Sequence, residues 1–180
     1  AGPRKAVASA VERAAVLESL DRLATDDFTT VEVPVDSLGR VDADEFIATA
    51  AQADLACLQQ ANAEVGCLQP TAEIGAALRS DGVPLLIDAT SAAGLIKPPT
   101  EFSLLAADAR AWGGPGAVGI LITKPGLRWR SPMPLPDDTS GSGRSGSVPV
   151  PLIAAAATAL EDAARWREAE MARLGDMIDV

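Results

Sequence analysis

Histidine and tyrosine are both absent from the 180 residues. Without histidine the chain lacks the side chain that most often serves as general base near neutral pH and as metal ligand. Any catalysis would have to come from carboxylates, hydroxyls, thiols or the three lysines, Lys5, Lys97 and Lys124. Basic residues are also few: 15 Lys and Arg stand against 25 Asp and Glu, a formal net charge of -10. Phosphate-backbone binding needs a basic surface, so no nucleic-acid partner is expected. No run of 18 uncharged apolar residues occurs, and the nearest candidate, VPVPLIAAAATAL, is short and interrupted by proline. No membrane span is therefore expected, and the chain reads as soluble and cytosolic. Cysteine is limited to Cys57 and Cys67, which lie in apolar surroundings without metal-ligand spacing. Both read as buried, reduced thiols.

What is present suits an ordinary domain, since 48% of the residues are hydrophobic in a chain long enough to enclose a core. The pattern AVASAVERAAVLESLDRL, residues 6–23, carries Val11, Ala15, Leu20 and Leu23 at helical spacing and predicts a helix entered from a short strand. FTTVEVPVDSLGRVD reads as a β-branched strand broken by Pro34 and turned at Gly39. A helix is expected over DADEFIATAAQ with Asp42 as N-cap, and ADLACLQQAN reads as an apolar strand running into a polar loop. PTAEIGAALRSDG predicts a helix stopped at Asp81-Gly82. VPLLIDAT and VGILIT read as buried strands. Strands that alternate with helices and lack polar alternation predict an α/β fold, a mainly parallel sheet flanked by helices.

In such sheets functional groups gather at the carboxyl ends of the strands. Three polar elements fall there: NAEVG, Asp88, and the loop DARAWGG. The expected organisation is an α/β core over residues 1–125, a Pro/Gly/Ser-rich loop over 126–151, and a helix of the same domain over 152–180. The chain opens on what reads as a mid-sheet strand, and a truncated sheet leaves an open edge that favours dimerisation or a missing segment.

Several stretches together resemble the cysteine desulfurases, a branch of the class V aminotransferases dependent on pyridoxal phosphate. PVDSLGRVDADEF is similar to the family's strand, turn and following helix. NAEVGCLQPTAEIGAALRSDGVPLLIDAT resembles its Asn-Asn-Glu-Ile-Gly to Val-Asp-Ala stretch in length and order. GPGAVGILI resembles the strand after the cofactor lysine, and GRSGSVPVPLIAAAATALEDA the Arg-x-Gly-Thr loop with its helix. The likeness runs in consistent order through most of residues 6–165 and implies the large-domain fold of that family.

At the residues that carry chemistry, the same resemblance implies departures. The family's His-Lys pair falls on Arg110 and Ala111, and a methyl group cannot form a Schiff base. Its ring-stacking histidine falls on Arg13, the second asparagine of Asn-Asn-Glu on Ala63, and its phosphate-binding serine on Asp108, where a carboxylate would repel a phosphate. Its glutamine falls on Ser91. Asp88 is retained at the position that pairs with the pyridine nitrogen; the alternative is a strand-end carboxylate capping the turn DATSAAG. Ser147 stands where a threonine reaches the phosphate from a neighbouring subunit. Arg144 beside it reads as part of a solvated linker or of a partner's pocket. Arg110 and Asp108 read as a local ion pair, and Trp112 as packed in the chain or against a partner. Lys97 and Lys124 both read as remote from Asp88, so neither is expected to replace the lysine.

The sequence thus predicts a cysteine desulfurase-like protein without pyridoxal-phosphate catalysis, binding no cofactor covalently, with Asp88 and Ser147 as the remaining cofactor contacts. It would act as a structural or regulatory partner in sulfur transfer, as a homodimer or within a heteromeric complex. The alternative is a class V enzyme that works in a larger or paired assembly.

Overall fold

The computed structural model describes residues 4–24, 28–127 and 149–178. β1 (Arg4–Ser9) enters the core at once, with Ala6, Val7 and Ala8 inaccessible to solvent. α1 (Ala14–Leu23) follows, and β2 (Phe28–Val33) pairs parallel to β1. The first helix is therefore shorter than its sequence pattern suggested. Residues 6–9 belong to the short strand expected before it, and Val11, counted on the helical stripe, lies in the connection.

After β2 the chain turns at Gly39, whose φ of +79° suits glycine, and a bridge between Val35 and Val41 closes the excursion. Gln69 clamps this turn, accepting from the Val41 N–H and donating to the Gly39 carbonyl. α2 (Ala43–Ala50) begins as expected at Asp42, whose side chain accepts from the Glu45 N–H at 2.9 Å. β3 (Leu55–Gln59) runs into a small hairpin of β4 (Ala61–Asn62) and β5 (Cys67–Leu68) where a simple loop was expected. α3 (Thr71–Asp81) ends on Gly82 in the left-handed conformation.

β6 (Leu85–Asp88) and β7 (Leu104–Asp108) complete the parallel part of the sheet. A 3-10 turn over Ala109–Trp112 leads towards β8 (Gly119–Thr123), which returns antiparallel to β7. The sheet has six strands in the order β2-β1-β3-β6-β7-β8. β7 was not anticipated: its strand LLAAD is short and alanine-rich and holds no β-branched residue.

The last element is α4 (Val150–Ile178), which starts two residues before the expected boundary. Ala156 and Ala163 sit against Trp112, Val118 and Ala109. The Trp112 indole N–H donates to the Ala156 carbonyl at 2.9 Å, so Trp112 is packed within the chain. On the same face of the sheet, where Ile87 is in register with Leu105, α2 and α3 cover a second core around Phe46, Leu58, Ile74, Leu78 and Ile87, while Leu20 of α1 packs on Ala6, Ala8 and Cys57 on the opposite face.

Candidate functional site

The carboxyl ends of β1, β3, β6 and β7 point the same way, and the polar residues concentrate there. Asp88 ends β6 and is 8% exposed. Its Oδ1 accepts from the Thr90 N–H at 2.8 Å and from the Thr90 hydroxyl, so it caps the turn that follows. Its Oδ2 lies 4.0 Å from Nη1 of Arg13. Burial raises the Asp88 carboxyl above its ordinary value, opposed by the Thr90 bond and the Arg13 charge.

Arg13 reaches this point because it is the N-cap residue of α1, held in an extended conformation where the chain leaves β1. Across the site, Asp108 ends β7 and caps the 3-10 turn by accepting from the Arg110 N–H at 2.9 Å. The Arg110 guanidinium returns to the same carboxylate, with Nη2 2.7 Å from Oδ2 and Nε 3.0 Å from Oδ1. These bonds hold the Asp108 carboxyl down to about 2, and the Arg13 charge adds to the effect. Two aspartates and two arginines thus neutralise one another across the strand ends.

Ala111 lies in the 3-10 turn, half-buried, with its methyl against the α4-facing core. Ala63 is exposed in the β4–β5 hairpin, and Ser91 is half-buried in the turn after β6. Ser147 and Arg144 lie outside the described residues.

The lysines are placed as follows. The Lys5 ammonium donates to the Thr49 carbonyl at the amino end of the sheet. The Lys124 ammonium donates to the Thr100 carbonyl at 2.7 Å and sits over the Phe102 ring, also at the far end. Lys97 is nearer the site than its sequence context suggested. Its carbonyl accepts from the Gln60 side chain, and the Gln60 N–H in turn donates to the Asp88 carbonyl. The loop after Asp88 folds back over the strand ends, although the Lys97 side chain is exposed.

One residue was overlooked in the sequence. Glu12, 5% exposed, accepts on Oε1 from the Ser9 hydroxyl at 2.6 Å and from the Gln59 N–H at 2.7 Å, while its Oε2 is buried without a partner. Burial pushes its carboxyl up to about 7 against those two bonds, and the Asp88 charge pushes the same way. An acid between a buried strand and a helix, directly before Arg13, was the available signal.

The two thiols differ, contrary to expectation. Cys57 is buried in β3, and burial with the charges of Glu12 and Asp88 pushes its thiol up to about 12. Cys67 is only half-buried and donates to the Gly39 carbonyl, because the two-residue strand β5 has one face open. Among the described residues no group of three or more potential metal ligands converges, and no helix is long and apolar enough to cross a membrane.

A parallel α/β sheet with an antiparallel return strand, and a polar site at its strand ends, is the large-domain plan of one broad enzyme group. The description Aminotransferase class-V matches residues 2–133, and the chain belongs to that family. Within it the chain is cysteine desulfurase-like, from a group whose cofactor is pyridoxal phosphate. It is 33% identical over 178 residues to cysteine desulfurase IscS 1 of Archaeoglobus fulgidus, covering 94% of this chain and 46% of that protein. It is 28% identical to a cysteine desulfurase of Bradyrhizobium diazoefficiens, covering 99% of this chain and 46% of that protein. A solved NifS-like protein superimposes with a TM-score of 0.85 at 28% identity, over 92% of this chain and 47% of that one. The chain therefore spans less than half the length of the curated relatives it matches.

Proposed function

We propose that this chain is a cysteine desulfurase-like domain that forms no Schiff base with pyridoxal phosphate and serves as a structural or regulatory partner in sulfur transfer. The observation that carries this reading is Ala111, a methyl packed on the core at the position that resembles the family's lysine. The neighbouring groups do not fit the cofactor either. Asp108, at the position of a phosphate-binding serine, is ionised at any physiological pH and already held by Arg110. Asp88, the acid that would meet the pyridine nitrogen, has Arg13 as its counter-charge. Asp88 and Ser147 are then relic cofactor positions. Residues 1–125 and the helix beyond 152 act as one domain, a reading supported by the Trp112 bond to Ala156 and by the Arg167 bond to the Gly94 carbonyl.

The test is an absorbance scan of the purified chain with added pyridoxal phosphate, followed by borohydride reduction and peptide mapping. No reducible band at a lysine is expected. A band that reduces onto Lys97, the lysine nearest the strand ends, would overturn the proposal.

A second reading is favoured by Asp88, an acid kept at the position that would meet the pyridine nitrogen. Here another polypeptide supplies the reactive lysine and thiol, and this chain contributes Ser147 across a subunit interface. Co-purification distinguishes it: a chain that captures no partner, and shows no desulfurase activity in any complex, removes that reading.

A further inference from the structure

β1 stops pairing with β3 just short of the site. The parallel register runs through Ala6–Leu55, Val7–Ala56 and Ala8–Cys57 and then ceases, because the chain leaves β1 after Ser9. The next donor of β3, the Gln59 N–H, is met by a side chain in place of a β1 carbonyl. Glu12 Oε1 accepts from it at 2.7 Å and from the Ser9 hydroxyl at 2.6 Å. Two further stitches hold the same connection, residues 10–13. The Val11 carbonyl accepts from the Gln59 and Asn62 side-chain amides, and the Ala10 N–H donates to the Val33 carbonyl. Arg13 follows directly, and its guanidinium stands before Asp88.

The groups that face the Glu12 carboxyl are the Ser9 hydroxyl from β1, Gln59 and the Cys57 thiol from β3, and Asp88 from β6. None of them is a cation. Arg13 is turned towards Asp88, with Asp108 beyond it, and Glu12 Oε2 is buried with no partner. A neutral carboxyl tolerates such a place at moderate cost. A carboxylate there lacks water and counter-charge on one oxygen and meets a second acid as well. Turning residues 10–13 off the end of β3 relieves it, and that movement breaks only the bonds of one connection. The core around Phe46, Leu58 and Leu78 lies on the other face of the sheet and stays closed.

We propose that the β1–α1 connection is a proton-operated latch over the strand ends, closed while Glu12 is neutral and released when Glu12 ionises, its release drawing Arg13 away from Asp88 and Asp108. Closed, two aspartates are matched by two arginines. Open, Asp88 and Asp108 are left with Arg110 alone, and the site turns acidic. A carboxyl that titrates near 7 in place and at 4.5 when released favours opening about 70-fold more at pH 8 than at pH 5. This inference is independent of the cofactor reading.

The test is native-state hydrogen exchange at single amides, corrected for the intrinsic effect of pH and run at pH 5 and pH 8 in urea below the unfolding transition. The Gln59 amide is bonded to Glu12, whereas the Leu78 amide lies within α3 and reports opening of the core. At pH 8 Gln59 is expected to be less protected than Leu78, with exchange that barely responds to urea, as a small local opening requires. Its protection should fall by about fiftyfold or more from pH 5 to pH 8 in wild type and by less than about threefold in Glu12→Gln. Arg13→Gln removes what the latch carries but keeps Glu12, so the fall should persist. The proposal is overturned if Gln59 shares the urea dependence of Leu78 at pH 8, since Glu12 would then meet water only on unfolding, and this comparison needs no variant. Wild-type protection at Gln59 that ignores pH, or a full response in Glu12→Gln, would overturn it as well. Loss of the response in Arg13→Gln would put the switch in the Arg13–Asp88 pair and also overturn it.

Discussion

Replacing Glu12 by Gln should flatten the dependence of stability on pH. In the folded chain the Glu12 carboxyl titrates near 7 against an ordinary 4.5, because it is buried with Oε2 unpartnered. A gap of that size corresponds to about 3 kcal/mol at 1.36 kcal/mol per pKa unit. The sign follows from the proton. Between 4.5 and 7 the folded state holds a proton that the unfolded state has released, so this stability is fully present below 4.5 and is lost as pH rises through 7. The carboxyls whose values are lowered, Asp36, Asp108 and Glu170, titrate below that window and contribute little to a change within it. Asp88 is raised and acts in the same direction as Glu12. Urea unfolding at pH 5 and pH 8, followed by tryptophan fluorescence, should show wild type losing most of that amount on going up in pH. Glu12→Gln keeps an acceptor oxygen for Ser9 and Gln59 and should lose markedly less. If the variant and wild type lose the same stability between the two pH values, the assignment of this buried acid is wrong.

Thiol chemistry should separate the two cysteines. At pH 8 a maleimide or disulfide reagent should label Cys67 quickly and Cys57 only after denaturation, since burial and neighbouring carboxylates push the Cys57 thiol to about 12; two equally fast labels in the native chain would contradict this. Gly94→Ala should destabilise the fold by about 2–5 kcal/mol in thermal melts. Its φ is +87°, and an added Cβ would sit 2.4 Å from the Trp112 Cβ, so an unchanged melting temperature would mean that this loop yields freely.

The fold was legible where sequence and burial agree. Asp42 and Gly82 punctuate α2 and α3 where residue chemistry said they would, because caps act through local hydrogen bonds and backbone conformation. β7 was not legible, since LLAAD becomes a strand only through its neighbours β6 and β8. The strand entering α1 was legible, but the start of α1 was placed too early: Val11, counted on the helical stripe, lies in the connection after β1. At the site, the Asp108–Arg110 pair could be read from adjacency. The approach of Arg13 to Asp88 joins residues far apart in sequence, and the burial of Glu12 depends on the packing of β3, so neither was visible in the string of letters.

α4 is a single element of 29 residues, about 44 Å long at 1.5 Å per residue, yet it behaves as two objects. Its first half is fastened by Ala156, Ala163 and the Arg167 bond to Gly94. Past Arg167 it continues as a cantilever, with Met171, Met177 and Ile178 exposed and an ion pair between Glu170 and Arg173 on its surface. The anchored half is therefore the stiff root of a rod, and any displacement of that root is transmitted to Trp112 and the Asp108–Arg110 turn.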